Sequence, residues 1–198
     1  MKTDRAMPIV AALLSMFVPG LCAGPPAQNS GDKMAQNNSR PSEPPRDFDF
    51  LIGHWQVHHR RLKERLANSR EWIEFEGTSV VQKVMGGYGT VDDNVIELPS
   101  GTYRAAGLRA FDPKSGQWSI WWLDGRMPQG PLDPPVRGSF RDGVGTFYSD
   151  ETFNGRPIRV RFTWSGITPT TCHWEQAFST DGGASWETNW VMDFKRVQ

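Results

Sequence analysis

Three dipeptides set the frame of this chain: Asp142-Gly143, Asn154-Gly155 and Asp181-Gly182, each standing between runs of alternating polar and apolar residues. Asn-Gly and Asp-Gly tolerate the positive φ angles that a tight hairpin turn demands, so each marks two strands folding back on one another. A Pro113-to-Gly116 loop and a glycine-rich break at 86–89 add further turns. Together they divide the chain into expected strands at 71–85, 90–98, 102–111, 117–123, 136–140, 144–153, 157–164, 171–179 and 186–195. No stretch carries sustained helical periodicity; only 47–52, with Phe48, Leu51 and Ile52, and 62–68 are short enough to be a helical turn. A meander with no helix over its edges must hide them, and closing on itself does so. The expected fold is an all-β, closed antiparallel meander barrel of eight to ten strands, with a two-sheet sandwich as the alternative.

The chain has 198 residues and 22 charges of each sign, so no basic field favours nucleic acid as a partner. Residues 1–23 read as a signal peptide: Lys2 and Arg5, an apolar run broken by Ser15, Pro19 and Gly20, then Cys22-Ala23-Gly24 as a small-residue cleavage site. The run is too short and too interrupted for a membrane span, so no stable membrane insertion is expected once it is removed. That places the protein in the periplasm or the secreted fraction. Residues 24–46 are Pro, Asn, Gln, Ser and Gly with almost no aliphatic side chain, a composition that cannot offset its ordering entropy; they read as a linker. The barrel domain is then 47–198. With Cys22 lost, Cys172 is alone and no internal disulfide can form; it reads as a small buried apolar residue rather than a nucleophile.

The domain opens on DFDFLIGHWQVHHRR at 47–61. Its Gly53-His54-Trp55 entering a first strand resembles the opening signature of the calycin, or lipocalin-like, superfamily. The wider pattern, from FDFLIGHW to WEQAFSTDGGASWETNWVMDFKR, resembles a bacterial exported lipocalin-like family of unknown function. The resemblance implies that Gly53 and Trp55 sit at the closed end of the barrel and that Arg196 in the last strand stacks across Trp55. It also implies a ligand carried inside the barrel. The later lipocalin motifs and the long helix before the last strand are not evident, which marks a relative rather than a member. A second local match, Ser179-Thr180-Asp181-Gly182-Gly183-Ala184-Ser185-Trp186, fits the Asp-box that sialidases repeat once per propeller blade. It occurs once here, so the reading is a self-locked hairpin: Ser179 and Asp181 bond turn amides, Gly183 takes positive φ, and Trp186 covers the turn.

Nine tryptophans lie between Trp55 and Trp190. Strand alternation puts Trp118, Ile120 and Trp122 on one face, Val160, Phe162 and Trp164 on another, with Arg159 and Arg161 opposite the latter. It groups Cys172, Trp174, Gln176 and Phe178, and it groups Trp186, Thr188, Trp190, Met192, Phe194 and Arg196. These tryptophans either fill the core or wall a cavity. On the second reading the ligand-binding residues are Trp122, Trp174 and Trp190, with Gln176, Thr188 and Arg161 as the polar groups, and the partner is a small hydrophobic or aromatic molecule. The alternatives are an acid–base enzyme of cyclase or isomerase type, with His173 and Glu175 as its first pair, or a structural barrel with a filled core.

No cofactor is expected. His54 and His58 share a strand face about 13 Å apart, at a rise of about 3.3 Å per residue, which is too far to share one metal ion; His59 points the other way. Some calycin relatives hold haem through a histidine on a late strand, a position His173 occupies. No nucleophile elbow, phosphate loop or dinucleotide fingerprint is present. The loop at 124–135, with four prolines, reads as a barrel mouth or as a plain surface connection.

Overall fold

The computed structural model describes residues 43–197. The leader and the linker up to residue 42 lie outside the described residues. Ten strands follow in chain order: β1 (Gly53–Leu62), β2 (Trp72–Val84), β3 (Gly89–Leu98), β4 (Gly101–Asp112), β5 (Gln117–Asp124), β6 (Val136–Arg141), β7 (Val144–Phe153), β8 (Arg156–Ser165), β9 (Thr171–Ser179) and β10 (Glu187–Arg196). Each pairs antiparallel with its sequence neighbours, and β1 pairs with β10, so the sheet closes into a barrel. The turn chemistry works as its composition demands. Asp142 and Gly143 take φ of 52° and 77°, and Asn154 and Gly155 take 50° and 76°, the doubly positive turn that matches strand twist. Residues 63–67, by contrast, are bends rather than a helix.

One end of the barrel is sealed. A 3-10 turn at Asp49–Leu51 precedes β1 and buries Leu51, and Phe48 just before it packs its ring against Trp118, Phe140, Phe147 and Trp164. The seam between the first and last strands pairs Trp55 with Arg196. The Arg196 guanidinium lies 4.2 Å from the Trp55 ring centre and donates to the carbonyls of Ile52 (2.6 Å), Phe50 (2.5 Å) and Pro169 (2.8 Å). Gly53 is required twice over: its φ is +121°, and a Cβ there would stand 2.6 Å from Arg196 Nη1. Trp55 in turn donates its indole N–H to Leu51 O at 2.7 Å, tying the plug to the first strand.

Strand alternation decides the interior with one exception. In β10 the register slips between Thr188, opposite Ala177, and Trp190, opposite Gln176. Asn189 is the extra residue of a β-bulge, and a bulge reverses which side later residues face. Trp190, Met192 and Phe194 therefore point inward, while Thr188 and Trp186 share the outer side with Ala177. The single face expected for 186–196 is really two. Arg161, also opposite Ala177 across β8–β9, is on the outer face as well, lying over Trp186 at 4.4 Å.

The wall is incomplete in one place. β5 and β6 share only the pairs Trp118–Gly138, Ser119–Arg137 and Ile120–Val136, and β6 leaves β7 after Arg137–Tyr148. Residues 121–124 of β5 and 149–153 of β7 thus border a slot. The proline-rich connection at 125–135 joins β5 to β6 here, and its Asp133 and Pro134 line the interior pocket.

Candidate functional site

Between the sealed end and the slot lies an interior cavity of about 140 Å3. Its apolar wall includes Val57, Ile96, Ile120, Phe162, Trp164 and Phe194. Of the residues assigned to ligand binding, Trp122, Trp174, Gln176 and Trp190 line it. Three rings form its aromatic rim, Trp174 and Trp122 each meeting Trp190 edge-on at 5.8 Å and 6.2 Å. Gln176 donates to Asn189 Oδ1 at 2.8 Å, so the bulge residue is held inside, fully buried, by a polar bond. Asp133 and Pro134 reach the cavity from the connection over the slot, which makes that segment part of the chamber wall.

Two assigned residues are not there. Thr188 and Arg161 face outward for the reasons given above, the first because of the bulge, the second because it alternates with the inward Val160 and Phe162. Arg161, Trp186, Tyr148 and Arg159 instead form an external stack, with Arg159 4.9 Å over Tyr148 and Tyr148 6.0 Å from Trp186. His173 is also outside. Its Nδ1 meets Asp193 Oδ1 at 2.7 Å and its Nε2 meets Glu175 Oε1 at 3.2 Å. Burial alone would lower its pKa, but these two carboxylates outweigh that and raise it. The histidine considered for haem and the pair considered for acid–base chemistry therefore have no access to the chamber. Among the described residues no group of three or more His, Cys, Asp and Glu side chains is placed to hold a metal ion, and no helix is long and apolar enough to cross a membrane.

The chamber has instead a polar set that alternation alone does not advertise. Asp92 on β3 accepts from Arg109 Nη1 (2.6 Å), from the Gly107 amide (2.5 Å) and from Asn94 Nδ2 (2.6 Å). Both members of the Asp92–Arg109 ion pair are buried. Such a pair survives desolvation only with extra hydrogen bonds on the carboxylate, which Gly107 and Asn94 supply. Gly107 must be glycine, because a Cβ there would fall 2.5 to 2.9 Å from the carboxylate atoms. The Arg109 guanidinium lies 5.2 Å from the Phe48 ring and 5.6 Å from Trp164, joining the polar set to the sealed end.

His59 on β1 is 3 % exposed and lies stacked on Phe75 at 4.8 Å and 11°. Burial pushes its pKa down to about 4; Glu76 pulls upward, while His58 and Arg61 add to the depression. Its Nδ1 accepts the Trp190 indole N–H at 3.2 Å. Glu151, at the slot, is held above its usual range by burial and by nearby Asp133, against the hydrogen bond it accepts from Ser149. At the slot end, Arg61 lies over Phe75 and Trp190, Arg65 over Phe153 and Phe178, and Arg126 over Tyr103.

The Asp-box hairpin is self-contained. Asp181 accepts from Ser185 N (2.9 Å), Ser185 Oγ (2.5 Å) and Ser179 Oγ (2.7 Å), which hold its carboxyl well below the usual range. Gly183, at φ +102°, donates to Ser179 Oγ at 2.8 Å and accepts the Trp186 indole at 3.0 Å. The polar side chains of Ser179, Asp181, Ser185 and Trp186 all bond within the turn.

Fold and site together define a lipocalin-like barrel: ten antiparallel strands, closed, with an interior chamber. The chain is similar to a solved S-type phycobiliprotein lyase, CPES from Guillardia theta, with a TM-score of 0.52 over 76% of this chain and 90% of that one. At 10% sequence identity the likeness is one of fold. No protein-family model matches the chain, and no curated protein does.

Proposed function

We propose that the barrel binds a small hydrophobic or aromatic molecule inside its chamber, and that a single ring fills it. The observation that carries this reading is the chamber of about 140 Å3, walled by Trp122, Trp174 and Trp190 and fitted with a few convergent polar groups. An apolar protein cavity of about 150 Å3 accepts a benzene-sized guest, whereas drug-sized ligands occupy roughly 300 Å3 or more. Size therefore favours a single ring over a fatty acid or a tetrapyrrole. The likeness to a phycobiliprotein lyase supports the barrel as a framework and leaves the guest to the chamber's own dimensions. The leader at 1–23 supports export to the periplasm or beyond, which fractionation and N-terminal sequencing of the mature protein would test.

Calorimetric titration with toluene and ethylbenzene tests the binding reading, followed in parallel by tryptophan fluorescence. Saturable binding is expected, with a spectral shift from the three rim tryptophans. Ile96→Phe, which puts a ring into the chamber from β3, is expected to abolish it. Equal binding by the wild type and by Ile96→Phe would place the guest elsewhere and overturn the reading.

A further inference from the structure

The hydrogen-bond inventory of the chamber is lopsided. An indole nitrogen can only donate, so the Trp190 N–H bond to Nδ1 of His59 requires the lone pair on Nδ1. The neutral imidazole then carries its proton on Nε2. That N–H lies over Gly77, where a Cβ would stand only 2.8 Å from it, and it has no acceptor among the described residues. Two more donors in the wall, Arg109 Nε and Trp164 Nε1, are buried without a partner. Two acceptors of the wall are taken: Asp92 already receives three donors, and Asn189 Oδ1 receives Gln176 Nε2. What these three donors lack is an acceptor.

Charge narrows the guest further. Among the described residues the one buried cation, Arg109, is already paired with Asp92, so an incoming anion would find no free buried counter-charge and would face Glu151 at the slot. A cation could be met by Glu151 or Asp133 on the chamber wall, but it would leave the three unpartnered donors without an acceptor. A guest with only a donor finds the lone pair of His59 taken by Trp190.

We propose that the molecule taken into the chamber is an uncharged aryl compound carrying a hydrogen-bond acceptor, an aryl carbonyl being the type, and that the Nε2–H of His59 donates to that oxygen. The inference rests on the binding reading above and specifies its ligand class. His59 is then the specificity residue, Trp190 fixes its tautomer, and the glycine at 77 leaves room for the ring.

Three molecules of one shape separate the possibilities: acetophenone, α-methylstyrene and benzoate differ only in the group beside the ring carbon. Calorimetric titration of the intact protein at neutral pH is expected to give acetophenone roughly tenfold tighter than α-methylstyrene, a difference of about 1.4 kcal/mol, with benzoate not binding. The histidine ring nitrogens, followed by 15N NMR, are expected to show Nε2 protonated and to shift on acetophenone addition. His59→Gln keeps both an acceptor for Trp190 and a donor for the guest, and should retain the preference; His59→Phe should bind both neutral compounds equally. Equal affinities for acetophenone and α-methylstyrene in the wild type would overturn the inference while leaving the binding reading intact. So would benzoate as the tightest of the three, since Arg109 would then be reading charge. An undiminished preference in His59→Phe would remove His59 from the role. No binding by any of the three, or by toluene, would overturn the binding reading itself.

Discussion

Acidification should unfold this barrel through His59 over a defined interval. In the folded protein its pKa is about 4, against an ordinary value of 6.5. Between those values the unfolded chain binds a proton that the folded chain refuses, so falling pH favours unfolding. At about 1.36 kcal/mol per unit the full effect is about 3 kcal/mol, present above pH 6.5 and gone below pH 4, where both states are protonated. Locally, protonation turns Nδ1 from acceptor to donor and sets it against the Trp190 N–H. Two other groups work in the opposite sense. His173 and Glu151 both have raised pKa values in the folded state, so each holds its proton more tightly there and contributes stability that fades as pH rises. A comparison with His59→Gln removes them, because both proteins carry them. The assay is urea unfolding followed by tryptophan fluorescence at pH 7, 6, 5 and 4. The stability of the wild type relative to His59→Gln is expected to drop by about 3 kcal/mol from pH 7 to pH 4 and to level off below it. Parallel curves across that range would refute the buried neutral histidine and, with it, the fixed tautomer.

Other outcomes follow from single contacts. Gly107→Ala, at an ordinary backbone angle, drives a methyl into the Asp92 carboxylate and should cost roughly 2 to 3 kcal/mol in chemical denaturation; a silent substitution would mean the ion pair is displaced. Arg196→Met keeps an apolar cover on Trp55 but strips donors from three carbonyls, and should cost roughly 2 to 4 kcal/mol by the same measurement. Burial pushes the Cys172 thiol up to about 12, so alkylation by iodoacetamide at pH 8 should be negligible in the native protein and complete in urea. Labelling of the folded protein at the rate of a free thiol would contradict its buried position.

The barrel was largely legible because its turns are chemically explicit. Asp142-Gly143 and Asn154-Gly155 could do little except reverse the chain, and once register is set by such turns, alternation assigns faces for whole strands. That is why Trp122, Trp174, Gln176 and Trp190 could be read as one wall. The failure in β10 has a specific cause. Alternation assumes one residue per step, and the bulge at Asn189 inserts an extra one, with no composition to announce it. Counting back from Trp190 therefore put Thr188 and Trp186 on the wrong side. The polar set was missed for a different reason. Asp92 and Asn94 share a strand face with Thr90 and Ile96, and His59 shares one with Trp55, so a charged or titratable residue at an inward position was the available signal. Its partner Arg109 lies 17 residues away on the next strand. Only the β3–β4 register, which sets Asp92 opposite Gly107, brings the two together. Arg161 was misjudged by wanting a cation inside, when alternation already placed it out.

The seam carries a consequence for the order in which this molecule is made. Nine of its ten ladders join strands adjacent in sequence and can form as hairpins while the chain is still growing. The last joins β1 to β10, and its anchoring bond ties Ile52 to Arg196 across 144 positions. Closing so long a loop is slow relative to hairpin formation. Until the final strand arrives, β1 is an open edge, its tryptophan lacks the arginine that covers it, and Trp190, the donor that fixes the tautomer of His59, is not yet in the wall. The chamber is therefore the product of a completed chain: a nascent or truncated barrel can have most of its strands and still be unable to hold a guest.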